Sequence, residues 1–540
     1  MAKQLLIDRL LDVLDRHAAR PMITASGITP SYDHVWSRAL KVASILIAES
    51  RDEPLIGFLA ERDQTAYLAI LSILAAGKGY VPLNPALPDA RLGRILSQAR
   101  LQTILIGRGQ GPRSATLLSK FEGIRTLVSL EDGDAQFGSR QTRVIHPSEV
   151  AAATSRSARP PSDAAPAYLL FTSGSTGEPK GVAVTNANLC AYLDFVCPTY
   201  GYGPDDRHSQ TFELTFDLSV HDMMCAWTTG GALAPIAGID FLSSARIVKR
   251  EQISCWFSVP ALGLMMQRSR ALESEPLRSL RLSLFCGEPL PASLAAQWQR
   301  AAPNSIVENL YGPTEATIAF TRYRWDANNS PLQCRYGLVP IGKEFVGLRT
   351  AIANADGLSI SGEAKGELWL SGAQVTVGYL ESPEETAEKF CQHVSMPGTL
   401  WYRTGDIVER GSDGALHFVG REDDQIKLRG YRINLLEVEN ALREAAATSL
   451  VVAVAHRKDH EVLGITGFIQ GDPNQREAIM TGLAARLPHY MMPQRLVFVT
   501  QLPRSNAGKI DKTALISALT SERPPENQSK AADSSEGRFA

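Results

Sequence analysis

A loop rich in glycine and hydroxyl side chains has the residue types that bind phosphate. It comprises Thr172, Ser173, Gly174, Ser175, Thr176 and Gly177, and Lys180 follows it. Glycines let backbone N–H groups approach phosphate oxygens, hydroxyls donate hydrogen bonds, and lysine adds a point charge. The loop is not a Walker A loop, because Lys180 is followed by Gly181 and not by Ser or Thr. We therefore expect another kind of phosphate-binding loop, with a flexible Gly/Ser turn as the alternative.

The segments on either side of this loop predict a strand and a helix that hold it in place. Residues 167–171 form an apolar run typical of a buried strand. Thr185 is suited to be an N-cap, and apolar residues then recur at helical spacing, at Leu189, Tyr192, Leu193 and Val196.

Composition and charge exclude several classes of protein. A net charge of -2 gives no electrostatic reason to expect nucleic acid or an anionic membrane as partner. Seven cysteines, an odd number without a CxxC pair, fit reduced cytoplasmic thiols better than a zinc site or a disulfide framework. No apolar run reaches membrane-spanning length, and the N-terminus predicts an amphipathic helix and not a signal peptide. We expect a soluble, cytoplasmic protein.

The 540 residues exceed one ordinary core and predict at least two domains. Alternating helix and strand patterns indicate an α/β fold with doubly wound sheets, and residues 335–420 indicate a small barrel-like subdomain. We expect an N-terminal domain over 1–420, a small α/β (α+β) domain over 421–520, and a polar, disordered tail over 521–540.

The loop and four further motifs resemble those of the adenylate-forming superfamily, which contains acyl-CoA synthetases, luciferases and the adenylation domains of nonribosomal peptide synthesis. The further motifs are NLYGPTE at 309–315, YRTGD at 402–406, GREDDQIKLRG at 420–430 and PRSNAGKID at 503–511. The resemblance runs from about Leu5 to Leu515 and implies an AMP-forming ligase that uses ATP and Mg²⁺. Only 31 residues follow Lys509, too few for a fused carrier domain, so we expect a free-standing enzyme.

The resemblance also implies roles for individual residues around the nucleotide. Nucleotide contacts would come from the phosphate loop with Lys180 and from Asn309, Tyr311, Asp406, Arg421 and Lys427. Tyr311 would stack near adenine, while Asp406 and Arg421 would bind the ribose. Thr314 would contact the α-phosphate region, and Glu315 would ligate Mg²⁺, an ion that usually takes only one or two protein carboxylates when it bridges phosphates.

Three residues of the C-terminal motifs are implied to serve a cycle with two conformations. Lys509 would place its ammonium between the substrate carboxylate and the α-phosphate during adenylate formation. Asp423 would be the hinge about which the small domain rotates. Gly430 would then line a tunnel for the phosphopantetheine arm of a carrier protein.

Asp217 separates the branches of the superfamily, since amino-acid-activating members carry an Asp here that pairs with the substrate ammonium. A buried carboxylate is costly unless a cation meets it, and the substrate provides one. The alternative is an Asp that caps the following helix. The substrate pocket, carried over from the resemblance, consists of Asp217, Leu218, His221, Phe257, Leu284, Cys286, Leu310, Ile318 and Ala319. Such a pocket favours a small neutral amino acid, and His221 is either a packing residue or a donor to a hydroxyl.

Three hypotheses follow. The first is activation of a small neutral amino acid, with L-proline favoured over serine, alanine or glycine, and transfer to a separate carrier protein, as in prolyl- and D-alanine:carrier-protein ligases of nonribosomal-peptide or antibiotic pathways. The second is an acyl- or aryl-CoA synthetase, against which Asp217 argues. The third is a nucleotide-binding protein without catalysis, against which the intact Lys180, Glu315, Asp406 and Lys509 argue.

Overall fold

The computed structural model describes residues 4–24, 27, 29–131, 142–173, 179–236, 241, 243–273, 276–355, 357–423, 425–448, 450–458, 461–503 and 510–521. The chain divides into two compact units, 1–434 and 435–540. The predicted phosphate-loop residues Gly174, Ser175, Thr176 and Gly177, the predicted catalytic Lys509 and the predicted tail beyond residue 521 lie outside the described residues. The boundary predicted after residue 420, and the mobility predicted for 421–520, stay predictions.

The first unit contains two seven-stranded sheets. The strands of the first are β1 (Leu55–Leu59), β2 (Gly79–Leu83), β3 (Thr103–Ile106), β4 (Thr126–Ser129), β5 (Arg143–Ile145), β6 (Pro166–Ser173) and β7 (Pro179–Thr185). Their order is β5-β4-β3-β1-β2-β6-β7, and only the last pairing is antiparallel. These strands are short Val-, Ile- and Leu-rich runs, as expected of a parallel sheet covered on both faces.

The second sheet is also mostly parallel. Its strands are β8 (Arg207–Gln210), β9 (Ala232–Pro235), β10 (Cys255–Ser258), β11 (Leu282–Phe285), β12 (Ile306–Tyr311), β13 (Thr321–Arg324) and β14 (Lys343–Glu344). The order is β14-β13-β12-β11-β10-β8-β9, with β8 to β12 parallel and β13 and β14 antiparallel additions. Side chains at the carboxyl ends of β10, β11 and β12 are therefore neighbours, which is where ligands bind in such sheets.

An antiparallel sheet and a hairpin complete the first unit. The sheet consists of β15 (Arg349–Asn354), β16 (Gly357–Ser359), β17 (Ala364–Ser371), β18 (Phe390–His393), β19 (Met396–Arg410) and β20 (Leu416–Arg421). The order is β16-β15-β17-β19-β18, and β20 pairs with β19. The hairpin is formed by β21 (Gln425–Leu428) and β22 (Tyr431–Asn434).

Helices cover the sheets of the first unit. They are α1 (Leu6–His17), α2 (Tyr32–Glu49), α3 (Gln64–Ala75), α4 (Asp89–Gln98), α5 (Gly111–Lys120), α6 (Pro147–Ala152), α7 (Asn186–Tyr200), α8 (Leu218–Trp227), α9 (Ser244–Arg250), α10 (Pro260–Arg268), α11 (Ala292–Ala301), α12 (Ser330–Gln333) and α13 (Pro383–Lys389). As predicted, α1 is amphipathic and α7 follows Thr185, whose hydroxyl accepts a hydrogen bond from Asn188 N–H. In the part of the chain that the structure describes, no helix is both long and apolar enough to cross a bilayer.

The second unit is a small α/β layer. Its helices are α14 (Leu435–Ala446), α15 (Arg476–Ala484) and α16 (Lys512–Ser521), and its sheet joins β23 (Val451–Lys458), β24 (Glu461–Gln470) and β25 (Arg495–Val499). The helix expected after Asn434 and the two strands expected near 450–455 and 462–469 are present. The predicted class, α/β with a smaller α+β domain at the C-terminus, is confirmed.

Candidate active site

The antiparallel strands β6 and β7 precede and follow the predicted phosphate loop in the sequence, and Thr172 lies opposite Lys180 in this pair. The Lys180 side chain is buried and forms an ion pair with Glu385 of α13, with Nζ 3.0 Å from Oε1. Its ammonium also lies 5.2 Å from the centre of the Tyr379 ring. Because a buried cation is costly without a partner, the contacts with Glu385 and Tyr379 stabilise the ammonium of Lys180 on β7.

Glu315 lies in a short 3-10 turn (Thr314–Ala316) that follows β12, and its carboxylate is buried. The Tyr379 hydroxyl donates to Oε1 at 2.9 Å, and Arg432 of β22 approaches both carboxylate oxygens, at 3.3 and 3.1 Å. Burial works to raise the pKa of Glu315, but the Arg432 charge and these hydrogen bonds outweigh it and hold the pKa below its usual value. An ionised, buried carboxylate of this kind offers oxygen ligands that suit a hard divalent cation such as Mg²⁺.

The residues implied to bind ribose form one connected group. Asp406 and Arg421 are directly opposite each other on β19 and β20, and Arg421 contacts Asp406 Oδ1 at 2.5 Å. The Tyr311 hydroxyl, at the end of β12, donates to Asp406 Oδ2 at 2.6 Å. An ionised carboxylate has about four lone-pair positions, so the two contacts leave acceptor capacity for two ribose hydroxyls. Asn309, also on β12, donates to the carbonyl of Pro340 at 2.9 Å and supports the strand.

The hairpin β21–β22 presents Lys427 and Gly430 to the same region. Lys427 Nζ lies 5.4 Å from the centre of the Tyr311 ring, and burial lowers the pKa of this lysine. Gly430 donates its N–H to Glu288 Oε1 at 2.7 Å, and a Cβ atom built on it would lie 2.4 Å from Val259. Gly430 also has φ of +84°, a conformation that strains other residues. Arg421 contacts Asp423 at 2.7 Å, and the hinge role of Asp423 stays a prediction.

Asp217 immediately precedes α8 but makes no side-chain capping hydrogen bond to it. Its Oδ2 accepts a hydrogen bond from Ile318 N–H at 3.2 Å. Burial raises the pKa of Asp217 to about 6, because hydrogen bonds from Ile318 and Thr314 offset only part of the desolvation and the nearby Glu315 charge adds to it. Asp217 is thus a buried carboxylate without a side-chain capping hydrogen bond to α8, which argues against the alternative of a helix-capping Asp, and its pairing with a substrate ammonium stays a prediction.

The predicted pocket side chains come from α8, β10, β11 and β12 and from the segments next to these elements, and they are all buried. Leu218, Phe257, Leu284, Cys286, Leu310, Ile318 and Ala319 belong to one contiguous apolar cluster. His221 lies against it, with its ring centre 4.6 Å from that of Phe257. Thr317 and Ile318 both have positive φ, 57° and 71°, and this strained turn directs the Ile318 N–H to Asp217.

The ring of His221 is hydrogen-bonded on both sides. Nδ1 lies 2.7 Å from the Tyr192 hydroxyl and Nε2 lies 3.1 Å from the Tyr202 hydroxyl. Complete burial lowers the pKa of His221 to about 3, so the ring is neutral. Because both nitrogens contact tyrosine hydroxyls, the structure favours the interpretation of His221 as a packing residue over that of a donor to a substrate hydroxyl.

Some residues of the site were not predicted from the sequence. Arg432 lies two positions beyond Gly430, and the continuing strand pattern could have placed it on the same face as Lys427. Tyr379 contacts both Lys180 and Glu315, and Glu385 pairs with Lys180. Gln374 holds the strained turn by donating to the Ala319 carbonyl at 2.7 Å. Nothing local in the sequence marks these three, because their partners are distant along the chain.

Comparisons with known proteins agree with this architecture. The family described as AMP-binding enzyme matches residues 11–380. A D-alanine--D-alanyl carrier protein ligase of Bacillus licheniformis is 28% identical over 531 residues, 95% of this chain and 100% of that protein. Tyrocidine synthase 3 of Brevibacillus parabrevis is 30% identical over 495 residues, 90% of this chain but 7% of that much longer protein.

Among solved structures, the Vibrio cholerae adenylation domain AlmE in complex with glycyl-adenosine-5′-phosphate matches with a TM-score of 0.86 and 31% identity. The match covers 96% of this chain and 98% of that one. The expected resemblance and the expectation of an AMP-forming ligase are thereby confirmed. The chain belongs to the AMP-binding enzymes of the adenylate-forming superfamily.

Proposed function

We propose that this enzyme activates a small neutral amino acid with ATP and transfers it to the phosphopantetheine thiol of a separate carrier protein. In the first half-reaction the amino acid carboxylate attacks the α-phosphorus of ATP, and pyrophosphate leaves. In the second, the thiol sulfur attacks the carbonyl carbon of the aminoacyl adenylate, and AMP leaves. Glu315 would hold Mg²⁺, which neutralises phosphate charge.

The observation that carries the proposal is the environment of Asp217. It is a buried carboxylate whose pKa is raised to about 6, and no lysine or arginine in the described part of the chain forms an ion pair with it. A buried charge without a partner is expensive, so the site is suited to a ligand that brings a cation. The ammonium of an α-amino acid does so, whereas fatty and aryl acids do not, which is why we prefer amino acid activation to CoA-thioester synthesis.

Relatives support transfer to a carrier and a small substrate. The Bacillus licheniformis relative is a ligase that joins D-alanine to a carrier protein, and the Vibrio cholerae domain was solved with a glycyl adenylate. Both amino acids are neutral and small. The apolar side chains of Leu218, Phe257 and Leu284 in the proposed pocket also suit a small neutral amino acid.

Within that class we propose L-proline first, with alanine and glycine as the rivals. The proline ring would bury apolar carbon against the pocket cluster, and its secondary ammonium keeps a charge for Asp217. Serine ranks lower, because both nitrogens of His221 are occupied by Tyr192 and Tyr202 and leave its hydroxyl without a partner there.

Amino-acid-dependent exchange of labelled pyrophosphate into ATP tests the proposal. Proline, alanine, glycine and serine are compared with the desamino acids cyclopentanecarboxylate and propionate. We expect exchange with one small amino acid and none with its desamino partner. Exchange supported only by desamino acids would overturn the proposal in favour of a CoA ligase, and exchange with glycine or alanine but not proline would end the proline assignment. Transfer to carrier is then followed by mass spectrometry of phosphopantetheinylated carrier proteins.

A further inference from the structure

Three side chains that can bind a metal lie on one face of the second sheet, near the amino ends of β8 and β10. His208 and Cys255 are directly opposite each other in this parallel pair, so their side chains project from the same face. Asp206 precedes His208 by two positions, which gives it the same orientation. None of the three belongs to the predicted nucleotide site or substrate pocket, so they form a separate cluster.

The donor atoms of this cluster are close together and buried. A carboxylate oxygen of Asp206, a ring nitrogen of His208 and Sγ of Cys255 all lie within 4.8 Å of one another. The three residues are 6%, 1% and 4% exposed. Bonds of about 2.0–2.3 Å to a tetrahedral ion place its ligands about 3.5 Å apart, so small side-chain rotations would bring the set onto one ion. Carboxylate oxygen, imidazole nitrogen and thiolate sulfur together are ligands that suit Zn²⁺.

His208 is the member of the cluster that points to a ligand. Its Nε2 is buried and has no hydrogen-bond partner in the part of the chain that the structure describes. Burial lowers the pKa of His208 to about 4, so the ring is neutral, which is the form that binds metals. A buried polar atom without a partner is costly, and a metal bound in the cluster would give the imidazole a partner.

Asp206 is held by Arg281 in a way that allows exchange for a metal. Its Oδ1 accepts from the Ser254 hydroxyl and from Arg281 Nε, both at 2.7 Å. Its Oδ2 accepts from Gly203 N–H at 3.0 Å and from the Arg281 guanidinium. Withdrawal of Arg281 would free one lone-pair position on each oxygen, while Ser254 and Gly203 keep the carboxylate oriented. The Arg281 side chain is 38% exposed, so it can turn into solvent.

We propose that Asp206, His208 and Cys255 bind Zn²⁺ or a similar divalent transition metal, and that Arg281 is the cation that pairs with Asp206 when no metal is bound. Binding breaks the S–H bond of Cys255, forms a metal–sulfur bond and passes the proton to solvent, with no change of oxidation state. Water completes the tetrahedron. The ion would link β8 to β10 and stabilise the second sheet. Sequence spacing does not reveal this site, because strand register brings Cys255 to His208.

Cobalt(II) added to the metal-free enzyme without nucleotide tests the site, because a thiolate ligand gives Co²⁺ a charge-transfer absorption band in the near ultraviolet. We expect one equivalent of Co²⁺ to produce this band in wild type, and Zn²⁺ to abolish it. Cys255→Ala should lose the band. Cys334→Ala is the matched control, because Cys334 is a free, partly exposed cysteine outside the cluster, and it should keep the band.

Variants of Arg281 test the exchange. Arg281→Gln should bind Co²⁺ about fivefold more tightly than wild type, since it lacks the cation that competes for Asp206. Arg281→Lys keeps the charge and should stay near wild type. Absence of the band in wild type, its survival in Cys255→Ala, or equal affinity in wild type and Arg281→Gln would overturn the proposal.

X-ray absorption spectroscopy of the wild-type enzyme with one equivalent of Zn²⁺ gives a second readout that needs no variant. We expect one sulfur at about 2.3 Å and nitrogen or oxygen ligands at about 2.0 Å from the ion. Coordination by nitrogen and oxygen alone would contradict the proposed site. Neither measurement uses ATP or an amino acid, so absence of amino-acid-dependent pyrophosphate exchange would refute only the proposed function.

Discussion

Lys180 and Glu385 form an ion pair of 3.0 Å whose side chains are only 7% and 20% exposed. The pair joins the strand that follows the phosphate loop to α13. A lysine implied to bind phosphate is thus kept in place by a carboxylate before any nucleotide arrives. The ion pair holds the ammonium in one position, which would reduce the entropy lost if Lys180 binds phosphate as the resemblance implies.

Removing Glu385 should therefore destabilise the first unit. We expect Glu385→Gln to lower its free energy of unfolding by about 3 kcal/mol, because the buried Lys180 ammonium would lose the carboxylate with which it pairs. All seven tryptophans lie before residue 435, so tryptophan fluorescence during urea unfolding reports on this unit. The double variant Lys180→Met/Glu385→Gln should recover part of the loss. Additive losses in the double variant would show that the two residues do not interact.

Ionisation of Asp217 should lower the stability of the folded protein, so the cost of this residue to stability should depend on pH. Its folded pKa of about 6 lies above the ordinary 3.8, so the folded protein holds this proton more tightly than the unfolded chain. The contribution of Asp217 to stability therefore falls as the pH rises from about 4 to about 6, and is constant above. Asp217→Asn should be more stable than wild type by up to about 3 kcal/mol at pH 7 and by little near pH 4, as measured by urea unfolding.

The same variant should lose activity, because only the ionised carboxylate pairs with the substrate ammonium. For wild type, kcat/KM for the amino acid should fall as the pH drops below about 6. Asp217→Asn should cost roughly 3 kcal/mol in kcat/KM and lack this acidic limb. If the variant exchanged pyrophosphate with an unchanged pH profile, Asp217 would have a structural role and would not bind the substrate.

His221 should act on stability more than on substrate choice. His221→Leu leaves the buried hydroxyls of Tyr192 and Tyr202 without their partner, so we expect a loss of about 2 kcal/mol or more in unfolding free energy. Adding Tyr192→Phe and Tyr202→Phe should restore most of it, since removing all the polar partners is nearly neutral. Relative exchange rates for proline, alanine and glycine should be retained in the triple variant. A selective loss of serine exchange on changing His221 would instead point to a hydroxyl donor.

Gly430→Leu should separate the two half-reactions. The new side chain would collide with Val259, and leucine rarely adopts the positive φ of this position. The contact between the hairpin β21–β22 and Val259 should therefore be lost. Pyrophosphate exchange should stay near wild type while transfer to the carrier falls by orders of magnitude. The smaller change Gly430→Ala should impair transfer in the same way, and adding Val259→Ala to it should relieve the collision and recover part of the transfer. Parallel loss of both half-reactions would show that Gly430 matters to the fold as a whole.

Lys509→Ala should instead impair the first half-reaction, adenylate formation. If this lysine stabilises charge in the adenylation transition state, exchange should fall by several orders of magnitude while ATP still binds. Binding of α,β-methylene-ATP by calorimetry is the control. Near wild-type exchange would show that the lysine has been misassigned.

The sequence predicts the fold class, because apolar runs and helical periodicity are local patterns, whereas the roles of the polar residues around the nucleotide stay predictions. Strand β6 and helix α7 were expected from an apolar run and from helical spacing, whereas the resemblance implied that Tyr311, Asp406 and Arg421 serve one nucleotide, and the structure brings these three into contact. The partners of His221 and Glu315 could not be predicted, since Tyr192 is 29 residues and Arg432 is 117 residues away. Such pairings are set by how the layers pack, which periodicity does not encode.

The strained turn at Thr317 and Ile318 limits how the pocket can be re-engineered. Ile318 is β-branched at φ of 71°, a genuine outlier for that side-chain type. A library that varies residue 318 to accept larger amino acids would change the local backbone along with the pocket volume, and would move the N–H that contacts Asp217. Redesign of the proposed pocket is therefore better directed to Leu284, which lies in a regular strand where a change of side chain leaves the Ile318 N–H next to Asp217 in place.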